Sequence, residues 1–137
     1  MTVRLGRWTL SLGMAALCSI AAQAHHSIAS VYDGSRQVRI EGLVTQFFFV
    51  NPHPYVMAEV TDQNGRAQWR LEMDNRRELA DVGIASDTLK PNDRIIVTGS
   101  PARQQQNSLY VRRLDRPADG FWYEQVGSSP RSGRGNR

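Results

Sequence analysis

The chain has 137 residues, 17 of them Lys or Arg and 13 Asp or Glu, with a single cysteine, Cys18. That length sets an expectation of one domain. Of the 17 basic residues, Arg4, Arg7, Arg131, Arg134 and Arg137 lie outside 25–126, which leaves 12 against all 13 acidic ones and argues against a strongly basic nucleic-acid surface on the folded part.

Residues 1–24 read as a secretory signal peptide. Arg4 and Arg7 make the positive n-region, Trp8 to Ile20 the apolar h-region, and Ala22-Gln23-Ala24 the small-x-small cleavage site. The apolar run is too short and too rich in hydroxyls for a good membrane span. Arg4 and Arg7 are not a twin-arginine pair, and Leu17 fits poorly before a lipidated Cys18. Cleavage after Ala24 implies a periplasmic or secreted protein with no stable membrane anchor. The mature chain then starts His25-His26-Ser27 and holds no cysteine. A domain without disulfides is held by its core alone, and about a hundred residues suffice for that.

The mature chain opens with a short segment, His25 to Tyr32, read as extended. After an Asp33-Gly34-Ser35 turn, Arg36 to Val50 reads as one long strand. Val38, Ile40, Val44, Phe48 and Val50 share one parity, and Gly42 suggests a bulge or bend where the strand changes partners. Asn51-Pro52-His53-Pro54 is a rigid connection, since each proline lacks an N–H and keeps the preceding residue out of helix. Tyr55 to Thr61 is a second strand, with Val56, Ala58 and Val60 on one face. Asn64-Gly65 closes a hairpin turn. Arg66 to Met73 is the third strand, with Trp69, Leu71 and Met73 inward. Asn75 caps a short helix, with Glu78 in capping-box position and Leu79 and Val82 inward. Arg94 to Gly99 and Ser108 to Asp115 are the fourth and fifth strands. Phe121-Trp122-Tyr123 is placed to pin the carboxyl end against the barrel.

This order predicts an all-β class, a small five-stranded oligonucleotide/oligosaccharide-binding (OB)-like barrel with a short helix between strands 3 and 4. A β-sandwich fragment or an open five-stranded sheet is the alternative. The expected division is signal peptide at 1–24, barrel at 25–126, and a disordered Arg/Gly/Ser tail at 127–137.

The start Ala24-His25-His26-Ser27, the Gly42…Asn51-Pro52-His53 strand and turn, Asp62…Gly65, and Leu89-Lys90-Pro91-Asn92-Asp93…Val97-Thr98-Gly99 resemble an uncharacterised bacterial exported family, a domain of unknown function. The resemblance covers Ala24 to Asp119. It departs at Phe49, where a tryptophan is usual, and at Asn92, where the usual turn is Pro-Gly-Asp. It implies the fold and the exported location and carries no activity.

The three histidines fall in two places. A free terminal amine and the His25 ring can chelate one metal ion, and His53 would complete three nitrogen ligands, a set that suits copper and also zinc or nickel. A rival chelate uses the terminal amine with the amide and ring of His26, leaving His53 aside. A plain structural role, with a solvated terminus and a locally bonded turn histidine, stands beside both. Phe47, Phe49 and Tyr55 form a second candidate site, an aromatic face for a protein or glycan partner, against burial on both sides of a bent strand. No mature cysteine exists, and no Gly-x-Ser-x-Gly or His-Glu-x-x-His pattern appears. The expectation is therefore a binding or accessory module and not an enzyme. Export argues against nucleic acid as the natural ligand.

Overall fold

The computed structural model describes residues 28–135. The signal segment 1–24 and both His25 and His26 lie outside the described residues. The elements are β1 (Val38–Phe48), β2 (Tyr55–Asp62), β3 (Gly65–Glu72), α1 (Arg76–Asp81), β4 (Arg94–Pro101), β5 (Ser108–Arg116), β6 (Phe121–Val126) and β7 (Ser129–Arg134). The first five strands run β3-β2-β1-β4-β5, and a parallel pairing of β3 with β5 closes them into a barrel. This is the OB-like arrangement, with the helix between strands 3 and 4. Two further strands, β6 and β7, continue the sheet from β5.

Closure depends on β1 serving two neighbours. Val38 to Leu43 pairs with β4, and Gly42 to Phe48 pairs with β2. Gly42 and Leu43 are shared by both, so the change of partner falls where the sequence places it. Three backbones crowd there. A Cβ at Gly42 would lie 2.6 Å from the Glu59 carbonyl oxygen, so only glycine fits without a shift.

The bulge itself lies at Thr45, three residues later than Gly42. Val44 pairs with Ala58 and Gln46 with Met57, so Thr45 is the extra residue. A bulge reverses the parity of everything beyond it. Val44 is buried, but Phe47 and Phe49, not Phe48 and Val50, then turn to the core. Phe48 faces outward opposite Tyr55, and Val50 is exposed. The Thr45 hydroxyl donates to the Met57 carbonyl at 3.1 Å, so the bulged residue is tied to β2.

The inward faces of β2 and β3 follow their alternation. Val56, Ala58, Val60, Leu71 and Met73 are buried, and Trp69 packs against them. The Asn75 side chain accepts from the Glu78 N–H at 2.9 Å and caps α1. The reciprocal partner is not Glu78: the Asn75 N–H donates to Asp74 Oδ1 at 2.7 Å.

Two stretches differ from the sequence reading. Residues 28–31, expected as extended, form a helical turn closed by the Tyr32 N–H donating to the Ile28 carbonyl at 2.8 Å. Residues 127–134, expected as a disordered tail, form a hairpin with β6. Composition misleads there because the strand supplies no large apolar side chain of its own. β6 supplies Phe121, Trp122 and Tyr123, all buried, and Gly133 lets β7 lie against the Trp122 ring, where a Cβ would come within 2.8 Å. The Ser132 hydroxyl donates to the Val82 carbonyl at 2.5 Å, joining the hairpin to the end of α1.

A buried arginine locks the opposite end. Arg116 donates from Nη1 to Asp93 Oδ2 (2.7 Å) and the Thr88 carbonyl (2.6 Å), and from Nε and Nη2 to the two oxygens of Asp119 (2.9 Å each). Arg134 of β7 donates to Asp119 Oδ2 at 3.0 Å. Arg116, then Arg134 and the Phe121 N–H, hold the Asp119 carboxyl far below the usual carboxylate range.

Two outcomes follow for stability. Gly42→Ala is expected to destabilise the barrel by about 1–3 kcal/mol in urea unfolding, the range for a forced steric shift. Because the folded pKa of Asp119 is depressed, its stabilisation is present above the unfolded value of about 3.9 and is lost as pH falls through the folded one. The stability gap between the protein and Asp119→Asn should therefore be constant above about pH 5 and narrow below about pH 4, and a gap unchanged through about pH 2 would contradict the ion-pair role.

Candidate functional site

The Asn51–Pro54 turn leaves β1 and enters β2, with a cis peptide bond between Asn51 and Pro52. It is tied to the start of α1 from both sides of the histidine. The Arg76 N–H donates to the Pro52 carbonyl (3.2 Å), and the Met73 N–H donates to the Pro54 carbonyl (2.9 Å). His53 is thereby held opposite Asp74 and Asn75. Its Nδ1 is buried and has no hydrogen-bond partner among the described residues. A buried ring nitrogen without a partner is costly unless something binds it.

His53 opens into a cleft of about 750 Å³. Asp74, Tyr110, Arg112 and Gln125 share its wall, and Ile28 and Tyr32 close it from the amino-terminal side. Asp74 is buried and fixed. Gln125 Nε2 donates to its Oδ2 at 2.6 Å, and the Tyr123 hydroxyl donates to Gln125 Oε1 at 2.9 Å. Burial pushes the Tyr32 hydroxyl up to about 12, helped by the neighbouring Glu72 carboxylate. Tyr110 and Tyr123 are raised further, again by burial first. All three phenols stay protonated near neutrality, so they act as hydrogen-bond donors and not as phenolates.

The amino-terminal segment is clasped in place. The Tyr32 ring lies 5.7 Å from that of Tyr110, and its hydroxyl donates to Glu72 Oε2 at 2.8 Å. The Asp33 N–H donates to the Pro101 carbonyl and the Arg103 N–H to the Val31 carbonyl, both at 2.8 Å. These contacts hold the segment that begins at Ile28 on the cleft that His53 also lines.

Of the expected metal ligands, only His53 falls among the described residues; His25 and His26 lie outside them. No group of three or more His, Cys, Asp or Glu side chains is arranged to hold a metal ion among the described residues. The expected aromatic face divides in two. Phe47 and Phe49 pack against the core, 5.8 Å apart, with the Arg76 guanidinium 5.1 Å from the Phe49 ring. Tyr55 sits on the outer side, stacked on Phe48 at 4.6 Å, with the Arg70 guanidinium 3.4 Å from its ring centroid. Two groups at those distances cannot share one face of a ring, so both faces of Tyr55 are covered.

Tyr32, Asp74, Tyr110, Arg112 and Gln125 carry no sequence signal as site residues. Asp74 alone leaves a trace, as the residue preceding a helix cap.

Residues 14–110 match the family described as a family of unknown function, DUF6152, and the chain belongs to it. No curated protein matches the chain. Among solved structures it is similar to apo TiaS, a tRNAIle2 agmatidine synthetase, at 16% identity and a TM-score of 0.41, over 74% of this chain. The match spans only 24% of that protein, and at this score it carries no argument. No helix among the described residues is long and apolar enough to cross a membrane.

Removing the clasp should free the amino-terminal segment without opening the barrel. In Tyr32→Ala, amide exchange at Asp33 and Arg103 is expected to accelerate by about tenfold or more while Leu71 and Val97 stay protected. Equal acceleration at all four would make Tyr32 part of the barrel core and not a clasp.

Proposed function

We propose that this chain, a member of a family without an assigned function, is an exported binding module that takes a metal ion, copper first, between its mature amino terminus and His53. Cleavage after Ala24 supplies the other nitrogens, the free amine and the ring of His25. The observation that carries this reading is the shared cleft: Ile28 and His53 both line it, and three residues of chain can span at most about 10 Å, so His25 stays within that reach of Ile28. The unpartnered Nδ1 of His53 adds support, since a neutral imidazole nitrogen is a good copper or zinc ligand. The protein's part is to hold His53 rigidly through the Pro52 and Pro54 carbonyls and to bring the terminus to it through the Tyr32 clasp. The periplasm, or the exterior, is the proposed site of action. No catalytic step is assigned.

The aromatic reading has less support, because Phe47 and Phe49 serve the core and Tyr55 is already covered. The rival chelate, through the terminal amine with the amide and ring of His26, is separated from the proposed one by His53.

Copper(II) titration of protein beginning at His25, followed by electron paramagnetic resonance, tests this. His53→Ala should alter the nitrogen hyperfine pattern and weaken binding about tenfold or more, as expected for loss of one ligand from a preorganised set. An amino-terminal Gly-Ser extension should weaken it as well. Equal copper binding by the extended protein would overturn the site, and a spectrum unchanged by His53→Ala would leave only the terminal chelate.

A further inference from the structure

A second feature of the same cleft is independent of any metal. Gly99 pairs with Val111 and Thr98 with Arg113, so Arg112 is the extra residue of a bulge in β5. Bulges re-aim side chains. Here the bulged residue lines both the large cleft and the smaller one beside it. Arg112 is half-buried, and no carboxylate lies within 4.0 Å of it among the described residues. Its Nε donates weakly to the buried Ser100 hydroxyl at 3.4 Å, and its guanidinium lies 5.0 Å from the Tyr110 ring centroid.

Asp74 lines the same cleft but makes no ion pair with Arg112 within 4.0 Å among the described residues. Its two oxygens accept from the Asn75 N–H and from Gln125 Nε2. The other arginine of the cleft, Arg103, already faces Asp33 at 3.9 Å. Among the described residues the cleft thus presents one guanidinium fork with no carboxylate paired to it, beside a wall of Ile28, Ala29, Tyr32 and Tyr110. Its volume of about 750 Å³ is in the range that holds small organic ligands.

We propose that this cleft binds a small organic monocarboxylate, its carboxylate forked by Arg112 and its apolar body set against Tyr110 and the amino-terminal segment. One planar guanidinium matches one carboxylate in geometry and in charge. Phosphate shares the oxyanion chemistry, but it carries more charge than one free arginine balances and has no use for the apolar wall.

The test is an NMR titration of metal-free protein beginning at His25, with benzoate, acetate and inorganic phosphate as probes. Benzoate should shift the amides of Tyr110, Gln125 and Ser128 saturably and bind more tightly than acetate or phosphate. Arg112→Gln should abolish this. Arg112→Lys keeps the charge and loses the fork, so affinity should fall about tenfold; it keeps the test readable if the Gln variant does not fold. No benzoate shift in the cleft, equal binding by either variant when folded, or a preference for phosphate overturns the proposal. Because no metal is present, these outcomes stand whether or not His53 binds copper.

Discussion

A five-stranded barrel can close only if its strands reach neighbours on both sides, and β1 makes that possible. Its first half pairs with β4 and its second half with β2, and the two pairings overlap at Gly42 and Leu43. The constraint is steric before it is energetic: at Gly42 there is no space for a Cβ. Once β1 has changed partner, the Thr45 bulge reverses the parity of its side chains and sends Phe47 and Phe49 into the core. The chain then leaves the barrel at the Asn51–Pro54 turn, beside the amino end of α1. His53 is therefore placed by barrel closure itself, and the hydrogen bonds of Pro52 and Pro54 only fix its final position.

The two added strands extend this logic to the cleft. β6 brings Tyr123 and Gln125 to Asp74, so this carboxylate of the cleft is oriented from outside the barrel. That hairpin is held at its other end by Asp119, shared between Arg116 and Arg134. Arg116 is buried and fully paired, which makes it a specific joint between β5, the Asp93 turn and the hairpin. A buried ion pair broken on one side is strongly destabilising, even where the pair itself adds little net stability. The cleft thus has three independent supports: the proline turn, the Tyr32 clasp and the β6–β7 hairpin.

Much of the barrel was legible in the sequence because its signals are local. The alternation of Val56, Ala58 and Val60, the Asn64-Gly65 turn and the Asn75 cap each act over a few residues, and the structure bears them out. Gly42 was readable as the point where β1 changes partner. The bulge was not, because the extra residue is defined by its opposite strand, and Thr45 looks like any strand threonine. The same applies to Arg112. The β7 strand was hidden for a different reason: it is Gly-, Ser- and Arg-rich, and its apolar partners belong to β6. Of the candidate site, His53 was visible through its flanking prolines. Asp74, Tyr110 and Gln125 were not, since they meet only across the tertiary fold.

The central claim is that the mature amino terminus and His53 serve one site. The most direct measurement is paramagnetic line broadening in NMR spectra of protein beginning at His25, with copper(II) added below one equivalent. The account predicts that the amides of His53, Asp74 and Asn75 are lost together with those nearest the terminus, before any others. Broadening confined to the first few residues, with the turn and the start of α1 untouched, would contradict it.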